Sequence, residues 1–486
     1  MKRVFSHPLI ALALGILLRL FFLLKYPATS GDTVLYEELA TNWLKHATYG
    51  MSVNGALLPV DVRMPGYPAF LALVYAISGH TGEWARVWVM LTQAAVDLLG
   101  CLFVAWLAAM LLMLADDTAR VLPVLKAGLW LAALCPFTAN YTAVLLTESL
   151  AIFFSVVSLV LLVGMAGTNW DFVYPTKRRA WEPDNKPWYW AISAGLAVGV
   201  ATLFRPESPL LLLAGWVGIA GLLARHGKFV HWIKLILLTG AMCMVPLLPW
   251  AVRNAVTLHE VQFLTPKDAM LKTELVPRGF MAWEKTWLYR MRECYAVPWK
   301  LNEEEIKMED IPSRAFDSEQ EKRKVAEILE KYNEDLTLTA DEDAVFGQLA
   351  KERTARHPLR TYLSIPFQRA LTIWFTPRIE LLPYSGNVFP LAQQREDDPV
   401  DQSVTSGLFL LNILYVALAL WGGFRLWKWN PRVRPALLTI AAFILLRTAF
   451  LTTLEAPEPR YVLVCFPALL ALGATLFGKP HKLVAP

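Results

Sequence analysis

The chain has 486 residues, of which 56% are hydrophobic, and its mean hydropathy is +0.40. A soluble protein of this length is rarely so apolar, so the composition indicates a membrane protein. The net charge of +5 is small and the basic residues are spread between apolar blocks, which argues against a nucleic-acid-binding surface.

The first predicted element is an apolar run that follows the basic pair Lys2 and Arg3. A cleaved signal peptide has the same layout. This run, however, contains Arg19 and has no small-residue cleavage site at its end. We therefore expect an uncleaved transmembrane helix over 9–24.

Ten segments are predicted to cross the bilayer, since a crossing needs about 20 mostly apolar residues. They are 9–24, 87–114, 121–137, 142–165, 188–204, 209–224, 232–250, 406–424, 435–451 and 461–478. The apolar run Pro68–Ser78 is too short for a span and is expected to lie in the interface or to re-enter the membrane. This interpretation sets the orientation of every later span.

Basic residues in the short loops predict which side of the membrane each loop occupies. With the N-terminus inside, the cytoplasmic loops and tail carry Lys177, Arg178, Arg179, Lys186, Arg225, Lys228, Arg425, Lys428, Arg432, Arg434, Lys479 and Lys482. The short outer loops carry only Arg205 and Arg460. Both termini are therefore expected in the cytoplasm. The short tails and the lack of an ER retention signal favour a bacterial inner membrane.

Two long outer segments set the predicted domains. A transmembrane module over 1–250 includes the outer loop 25–86, and C-terminal helices follow over 406–486. Between them, 251–405 is an extracytoplasmic loop domain whose charged middle predicts a solvated helix. Its segment Arg360–Phe375 mixes basic and aromatic residues, as helices on a membrane surface do.

Four ionisable residues fall inside predicted spans, where charge is costly and a functional role is the first hypothesis. They are Arg19, Asp97, Glu148 and Arg447. Helical rise places them roughly 8 to 15 Å below the outer ends of their spans. A cavity that opens outward would explain this shared depth. Buried pairing or snorkelling is the alternative.

The outer loops add polar groups at the same level, namely Asp32, Tyr36, Arg63, Arg205, Arg253 and Arg460. Arginine recognises phosphate through a fixed fork of donors. A carboxylate near arginines keeps a low pKa and can act as a general base toward a hydroxyl. Asp32 also precedes a helical pattern, so an N-cap is its structural alternative. The pattern implies a membrane-resident phosphate compound that is attacked from outside.

Six short motifs occur in order on the predicted outer side. They are SGDTVLYEELATNWLKHATYG, RMPGYPAFLALVYAISG, LLTESLAIFF, ATLFRPES, PWAVRN and EPRYVLVCFPALLAL. Together they resemble the GT-C superfamily of polytopic glycosyltransferases, in the branch of the protein O-mannosyltransferases and the lipid A aminoarabinose transferases. Related bacterial sequences form glycosyltransferase family 39 and the RgtA/B/C/D-like group. The resemblance implies an all-α GT-C fold with about ten transmembrane helices and interfacial juxtamembrane helices.

The resemblance also implies roles for individual residues. Asp32 falls at the catalytic carboxylate, and Arg63 at a basic residue that contacts the donor phosphate. Arg205 and Arg460 fall at further positions that contact phosphate or organise the outer loop. The residues expected to line or support the cavity are Tyr36, Tyr67, Glu148, Asp97, Arg19 and Arg447.

The implied reaction moves a sugar from a polyprenyl-phosphate donor to a hydroxyl of a lipid, glycan or protein acceptor. Asp32 would take the proton, and direct displacement would invert the anomeric carbon. A transporter or flippase of a lipid-linked sugar is the alternative, since it also needs an arginine-lined cavity. A non-catalytic scaffold is a third hypothesis. No essential metal is expected because no dense acidic cluster is predicted outside, although a divalent ion stays open.

Overall fold

A computed structural model describes residues 7–79, 82–174, 187–266, 275–389 and 398–479. Five of the basic residues used for the orientation lie outside these ranges: Lys177, Arg178, Arg179, Lys186 and Lys482. The chain divides into two compact units. The first unit is Met1–Ala269, Pro377–Leu446 and Leu463–Pro486, and the second is Met270–Thr376 and Arg447–Val462.

The first part of the chain is helical apart from one short hairpin. Its helices are α1 (Pro8–Lys25), α2 (Gly31–His46), α3 (Gly66–Ser78), α4 (Glu83–Ala115), α5 (Leu122–Ala133), α6 (Pro136–Asn140), α7 (Glu148–Val173), α8 (Pro187–Phe204), α9 (Leu210–Arg225), α10 (Phe229–Met244) and α11 (Leu248–Thr257). The antiparallel strands β1 (Gly50–Val53) and β2 (Ala56–Pro59) pair between α2 and α3. Asn54 and Gly55, both at positive φ, form the turn that such a hairpin requires.

The rest of the chain is also helical. The helices of the middle segment are α12 (Arg278–Glu284), α13 (Met291–Ala296), α14 (Glu319–Asp335), α15 (Ala340–Arg356) and α16 (Ile365–Trp374). The last helices are α17 (Pro399–Trp429), α18 (Arg434–Leu451) and α19 (Phe466–Ala474). Short 3-10 turns join several of these helices, and a π-helical turn at Arg360–Ser364 precedes α16.

The predicted polytopic all-α membrane architecture is confirmed. Within the described residues, seven helices are long and apolar enough to cross a bilayer: Pro8–Lys25, Glu83–Ala115, Glu148–Val173, Phe229–Thr257, Pro399–Trp429, Pro431–Leu451 and Pro459–Phe477. The predicted span 121–137 is a pair of helices bent by 44°. Spans 188–204 and 209–224 are shorter apolar helices, so their crossing stays a prediction. Helix α3, at 13 residues, is likewise below the length of a span.

The fourth predicted span begins later than expected, at Glu148 instead of residue 142. The reason is that residues 143–145 give their backbone carbonyls to the first outer loop. The amide of Ala28 donates to the carbonyl oxygen of Ala143 at 3.0 Å, and the hydroxyl of Thr33 donates to that of Leu145 at 3.1 Å. Glu148 is therefore the first residue of α7, and the predicted depth of roughly 9 Å below the outer end of its helix is wrong.

The second unit has its own hydrophobic core, built largely from aromatic residues. Trp283 lies within 5.2 Å of both Trp287 and Phe346, measured between ring centroids. Helix α14 packs Val325, Leu329 and other apolar residues into this core, so the charged middle segment forms an amphipathic helix with one buried face.

A buried arginine ties the segment 447–462 to the second unit. Arg369 on α16 donates to the carbonyl oxygens of Leu288, Thr452 and Leu454, and only 1% of its surface is exposed. Trp374 adds a hydrogen bond to the hydroxyl of Thr448 at 2.9 Å. These bonds explain why this C-terminal stretch belongs to the second unit.

Candidate active site in the first outer loop

Asp32 lies in the first turn of α2, where the helix dipole favours negative charge. Ser30 is the N-cap residue, and the hydroxyl of Thr33 accepts a hydrogen bond from the Ser30 amide at 3.1 Å. The cap is thus supplied without Asp32, and the N-cap alternative for this residue is wrong. The Asp32 carboxylate is thus carried on a rigid helical turn and can bind another group.

That group is Arg63. Its Nη2 atom donates to the Oδ1 atom of Asp32 at 2.9 Å. The side chains of Asp32 and Arg63 are 30% and 26% exposed, so both are accessible to a ligand. The two side chains thus form an ion pair that a ligand can reach.

The backbone that carries Arg63 is fixed by two neighbours. The phenol of Tyr49 donates to the carbonyl oxygen of Arg63 at 2.8 Å. Arg253 donates to the carbonyl oxygens of Val60 and Tyr49 at 2.8 and 2.5 Å, and its guanidinium lies over the ring of Trp250. Arg253 is therefore a clamp on this loop, which accounts for its position among the outer arginines.

Tyr36 lies one turn after Asp32 and is 8% exposed. Its ring meets that of Tyr67 edge to face, with centroids 5.0 Å apart. Tyr67 is fully buried and donates to the side-chain oxygen of Gln93 at 2.8 Å, and Gln93 in turn donates to the carbonyl oxygen of Val144 at 2.9 Å. This chain of contacts fixes the position of the Tyr36 ring.

Burial raises the pKa of Tyr36 to about 12, and the negative charge of Asp32 adds to the shift. The charges of Arg205 and Arg63 oppose this shift, while that of Glu148 adds to it. The phenol is therefore neutral at physiological pH and can donate a hydrogen bond. The same shift shows that these four charged groups lie within electrostatic range of one ring.

Glu148 and Arg205 form the second ion pair of the site. The Nη2 atom of Arg205, just after α8, lies 2.5 Å from the Oε1 atom of Glu148. Glu148 is 2% exposed and the Arg205 side chain 17%. The site thus contains two carboxylate–arginine pairs around Tyr36, one of which is more open to solvent.

Arg19 and Asp97 pair with each other inside the helical core. Two guanidinium nitrogens of Arg19 lie 2.5 and 2.8 Å from the Oδ2 atom of Asp97, and both residues are at most 4% exposed. Arg19 also donates to the carbonyl oxygens of Gly15 and Ala133. This pair joins α1, α4 and α5, as the structural alternative anticipated, and its cavity role stays a prediction.

Arg447 and Arg460 belong to the second unit. Arg447 is 2% exposed and donates to the carbonyl oxygen of Tyr461 at 2.8 Å. Arg460 forms an ion pair with Glu458 and stacks on the ring of Tyr461. The phosphate contact expected of Arg460 and the cavity role expected of Arg447 stay predictions.

Glu37 has a partner that the sequence did not reveal. The helical pattern after Asp32 predicts a solvated face for Glu37 and Glu38. The side chain of Glu37 is instead 18% exposed and accepts two hydrogen bonds from Arg86, at 2.7 and 2.8 Å. Glu38 accepts from the backbone amide of Ser52 at 2.6 Å. Both glutamates therefore stabilise the outer loop.

Within the part of the chain that the structure describes, no three His, Cys, Asp or Glu side chains come together as metal ligands would. The nearest carboxylates of the site, Asp32 and Glu148, each bind an arginine. The expectation that no metal is essential stays a prediction.

Comparisons with known proteins gave no match to a protein-family model and none to a curated protein sequence. Solved structures do match. One is the archaeal oligosaccharyltransferase AglB from Archaeoglobus fulgidus, in complex with an inhibitory peptide and a dolichol-phosphate. It shares 14% identity and a TM-score of 0.47 over 96% of this chain. The match covers 50% of AglB, so this chain spans about half the length of that protein.

Another similar structure is ArnT from Cupriavidus metallidurans. Its apo form matches 96% of this chain and 77% of ArnT, with 14% identity and a TM-score of 0.37. Its complex with undecaprenyl phosphate gives 13% identity, the same coverage and a TM-score of 0.34. These TM-scores are too low to transfer a substrate or a mechanism.

Proposed function

We propose that this chain is a membrane glycosyltransferase. It would move a sugar from a polyprenyl-phosphate donor to an acceptor hydroxyl on the extracytoplasmic side of the membrane. The observation that carries the proposal is the partly exposed Asp32–Arg63 pair on a capped helical turn. A carboxylate for the acceptor proton and a guanidinium for the leaving phosphate are the two groups that this reaction needs.

Asp32 is proposed as the general base. Its carboxylate would accept the proton of the acceptor hydroxyl while the oxygen of that hydroxyl bonds to the anomeric carbon. The bond from the anomeric carbon to the phosphate oxygen breaks, and its electron pair leaves with the lipid phosphate. A single displacement of this kind inverts the anomeric carbon, whereas retention needs a second carboxylate as nucleophile.

Arg63 is proposed to hold the donor phosphate. Its fork of N–H donors suits a phosphate, and its backbone is fixed by Tyr49 and Arg253. A preorganised cation at the leaving group stabilises the charge that develops as the bond breaks. Because Arg63 also donates to Asp32, a bound phosphate would compete for this arginine and release the base.

The pair Glu148–Arg205 and the phenol of Tyr36 are proposed to shape the other side of the site. Arg205 is the more exposed partner of its pair and would add a positive charge toward the phosphate. Tyr36, neutral at physiological pH, would donate a hydrogen bond to the substrate and not remove a proton. The acceptor stays open between a lipid, a glycan and a protein.

The expected setting is a bacterial inner membrane with both termini in the cytoplasm. Nucleotide sugars are confined to the cytoplasm, so an outer site requires a donor that has crossed the bilayer on a lipid. The basic loop residues within the described ranges, such as Arg225 and Arg425, support this orientation.

The test uses the purified full chain in lipid nanodiscs with a panel of polyprenyl-phosphate sugars. Release of free polyprenyl phosphate is followed for the wild type, Asp32→Asn and the matched control Glu38→Gln. We expect release by the wild type and by the control, and a loss of at least about a hundredfold for Asp32→Asn. Glu38 is a suitable control because it lies on the same helix and binds the Ser52 amide.

A flippase gives a different result in the same nanodiscs and in proteoliposomes. It would release no lipid phosphate, and Asp32→Asn would keep most of its transport of the lipid-linked sugar. A scaffold would tolerate the loss of Asp32 and Arg63 together. Either outcome would replace the transferase proposal.

A further inference from the structure

Asp61, two residues before Arg63, has a buried carboxyl group whose Oδ2 atom receives no hydrogen bond from the described residues. The residue is 8% exposed. A buried carboxyl oxygen without a hydrogen bond is costly, so this atom calls for a donor from beyond the described residues.

The backbone around Asp61 is held on both sides. Arg253 donates to the carbonyl oxygen of Val60 at 2.8 Å, and Tyr49 donates to that of Arg63 at 2.8 Å. Both clamps bind the main chain within two residues of Asp61. The backbone that carries its carboxyl group is therefore ordered in advance, which lowers the ordering cost when a ligand arrives.

Arg253, the cation that could pair with Asp61, makes its hydrogen bonds to other groups. The guanidinium of Arg253 donates to the carbonyl oxygens of Val60 and Tyr49 and to the side-chain oxygen of Asn254. A structural carboxylate this near an arginine would be expected to take one of those bonds. Asp61 lies within electrostatic range of Arg253 and of the Tyr49 phenol, while its Oδ2 atom receives no hydrogen bond from the described residues.

Asp61 lies beside the proposed phosphate contact. Two residues span at most about 7 Å between their Cα atoms. A sugar whose phosphate contacts Arg63 would therefore have its ring within reach of Asp61. A carboxylate accepts hydrogen bonds only, so it suits a sugar hydroxyl and repels the phosphate itself.

We propose that the Oδ2 atom of Asp61 accepts a hydrogen bond from a hydroxyl of the transferred sugar, whose phosphate is held by Arg63. This inference rests on the proposed function and adds a specificity-determining residue to it. A hydroxyl of the acceptor sugar offers the same chemistry. The donor is favoured because Asp61 and Arg63 share one clamped segment.

The experiment measures binding to the full chain in nanodiscs. The probes are undecaprenyl phosphate and undecaprenyl phosphate carrying glucose, galactose, mannose, N-acetylglucosamine or arabinose. For each protein we take the ratio of two affinities, that for the glycosylated lipid that binds most tightly and that for undecaprenyl phosphate. This ratio is compared among the wild type, Asp61→Asn and Glu38→Gln. Methyl glycosides of the same sugars serve as acceptor mimics.

We expect Asp61→Asn to bind undecaprenyl phosphate as the wild type does and to bind the glycosylated lipid about tenfold or more weakly. Glu38→Gln should leave both affinities unchanged. The Asp61→Asn chain should also unfold at a temperature no lower than the wild type, because the Oδ2 atom of Asp61 receives no hydrogen bond from the described residues that the substitution could break.

Several results would overturn the inference. The inference fails if Asp61→Asn weakens the binding of both lipids equally, or of neither. It also fails if Asp61→Asn lowers the unfolding temperature, or if no sugar makes the lipid bind more tightly to the wild type. Weakening confined to the methyl glycosides would place the contact on the acceptor and overturn the donor assignment. Failure of the proposed function is separate, since it appears as absent release of lipid phosphate in the turnover assay.

Discussion

The Nη2 atom of Arg63 lies 2.9 Å from the Oδ1 atom of Asp32, although 31 residues separate them in the chain. The proposed phosphate ligand and the proposed base are thus bound to each other before any substrate arrives. A donor phosphate that takes Arg63 would weaken this bond. Donor binding is therefore expected to precede productive acceptor binding, and the base is shielded until the donor is in place.

Arg63→Gln is expected to weaken the binding of undecaprenyl phosphate by about tenfold to a hundredfold, since a charged hydrogen bond is lost. Arg63→Lys should restore part of the affinity, because a lysine keeps the charge without the planar fork. Titration calorimetry in nanodiscs measures both. The control is Arg86→Gln, which removes an arginine that binds Glu37. Unchanged affinity in Arg63→Gln would contradict the assignment.

The pair Glu148–Arg205 predicts non-additive effects. Arg205→Gln removes one ion-pair partner of the Glu148 carboxylate, which is 2% exposed. A loss of about 3–5 kcal/mol is typical when one member of a buried pair is removed. The double variant Glu148→Gln with Arg205→Gln should recover much of this loss. The unfolding temperatures of the wild type, the two single variants and the double variant form a double-mutant cycle. Strictly additive shifts of the unfolding temperature would show that the pair is not coupled.

The long apolar helices could be predicted from the sequence because they follow from local patterns. Apolar runs predicted the long helices, and Asp32, Arg63 and Glu148 were each chosen as charged residues near the outer surface. Their pairing was not predictable. Which arginine meets which carboxylate depends on contacts such as Thr33 to Leu145, 112 residues apart.

Two other features had sequence signals that were weaker. The Asn54–Gly55 turn marks a hairpin, yet the alternation on either side covers only four residues a strand. Asp61 sits inside the outer-loop segment beside Arg63, but its burial depends on the clamps from Tyr49 and Arg253. Burial of a polar residue in a loop has no periodic pattern from which it could be recognised.

The pair Arg19–Asp97 is expected to affect folding more than catalysis. Asp97→Asn should lower the unfolding temperature in detergent, since Arg19 is 1% exposed and would lose its carboxylate partner. Replacing both residues, as Arg19→Met with Asp97→Leu, should recover stability because a well-packed apolar pair avoids the desolvation cost. Turnover per folded molecule should stay near the wild-type value in the double variant. A loss of turnover there would instead place the pair in the reaction.

Glu284 in the second unit predicts a dependence of stability on pH. Burial raises the pKa of its carboxyl well above the usual 4.5, against the opposing charge of Arg369 and with a further increase from Glu455. Lys285 also opposes the shift, and the Oε1 atom of Glu284 has no hydrogen-bond partner among the described residues. The folded state therefore holds this proton more tightly than the unfolded state does.

The sign follows from linkage. Below pH 4.5 both states are protonated and the contribution of Glu284 to stability is fully present. As the pH rises, the unfolded state loses the proton first and the second unit becomes less stable. Glu284→Gln removes this loss of stability. The stability of the variant relative to the wild type should therefore grow from near zero difference at pH 4 to a clear gain at pH 8. Each unit of raised pKa corresponds to about 1.4 kcal/mol.

Hydrogen exchange of the Arg278–Glu284 amides, measured by mass spectrometry at matched pH, reports local unfolding of this helix. Comparing variant and wild type at one pH cancels the intrinsic rate of exchange. Glu330→Gln is the control, because Glu330 is exposed on α14 and no shift of stability is expected there. Equal protection of Glu284→Gln and wild type at pH 8 would mean that Glu284 is ionised in the folded protein, with Arg369 outweighing burial.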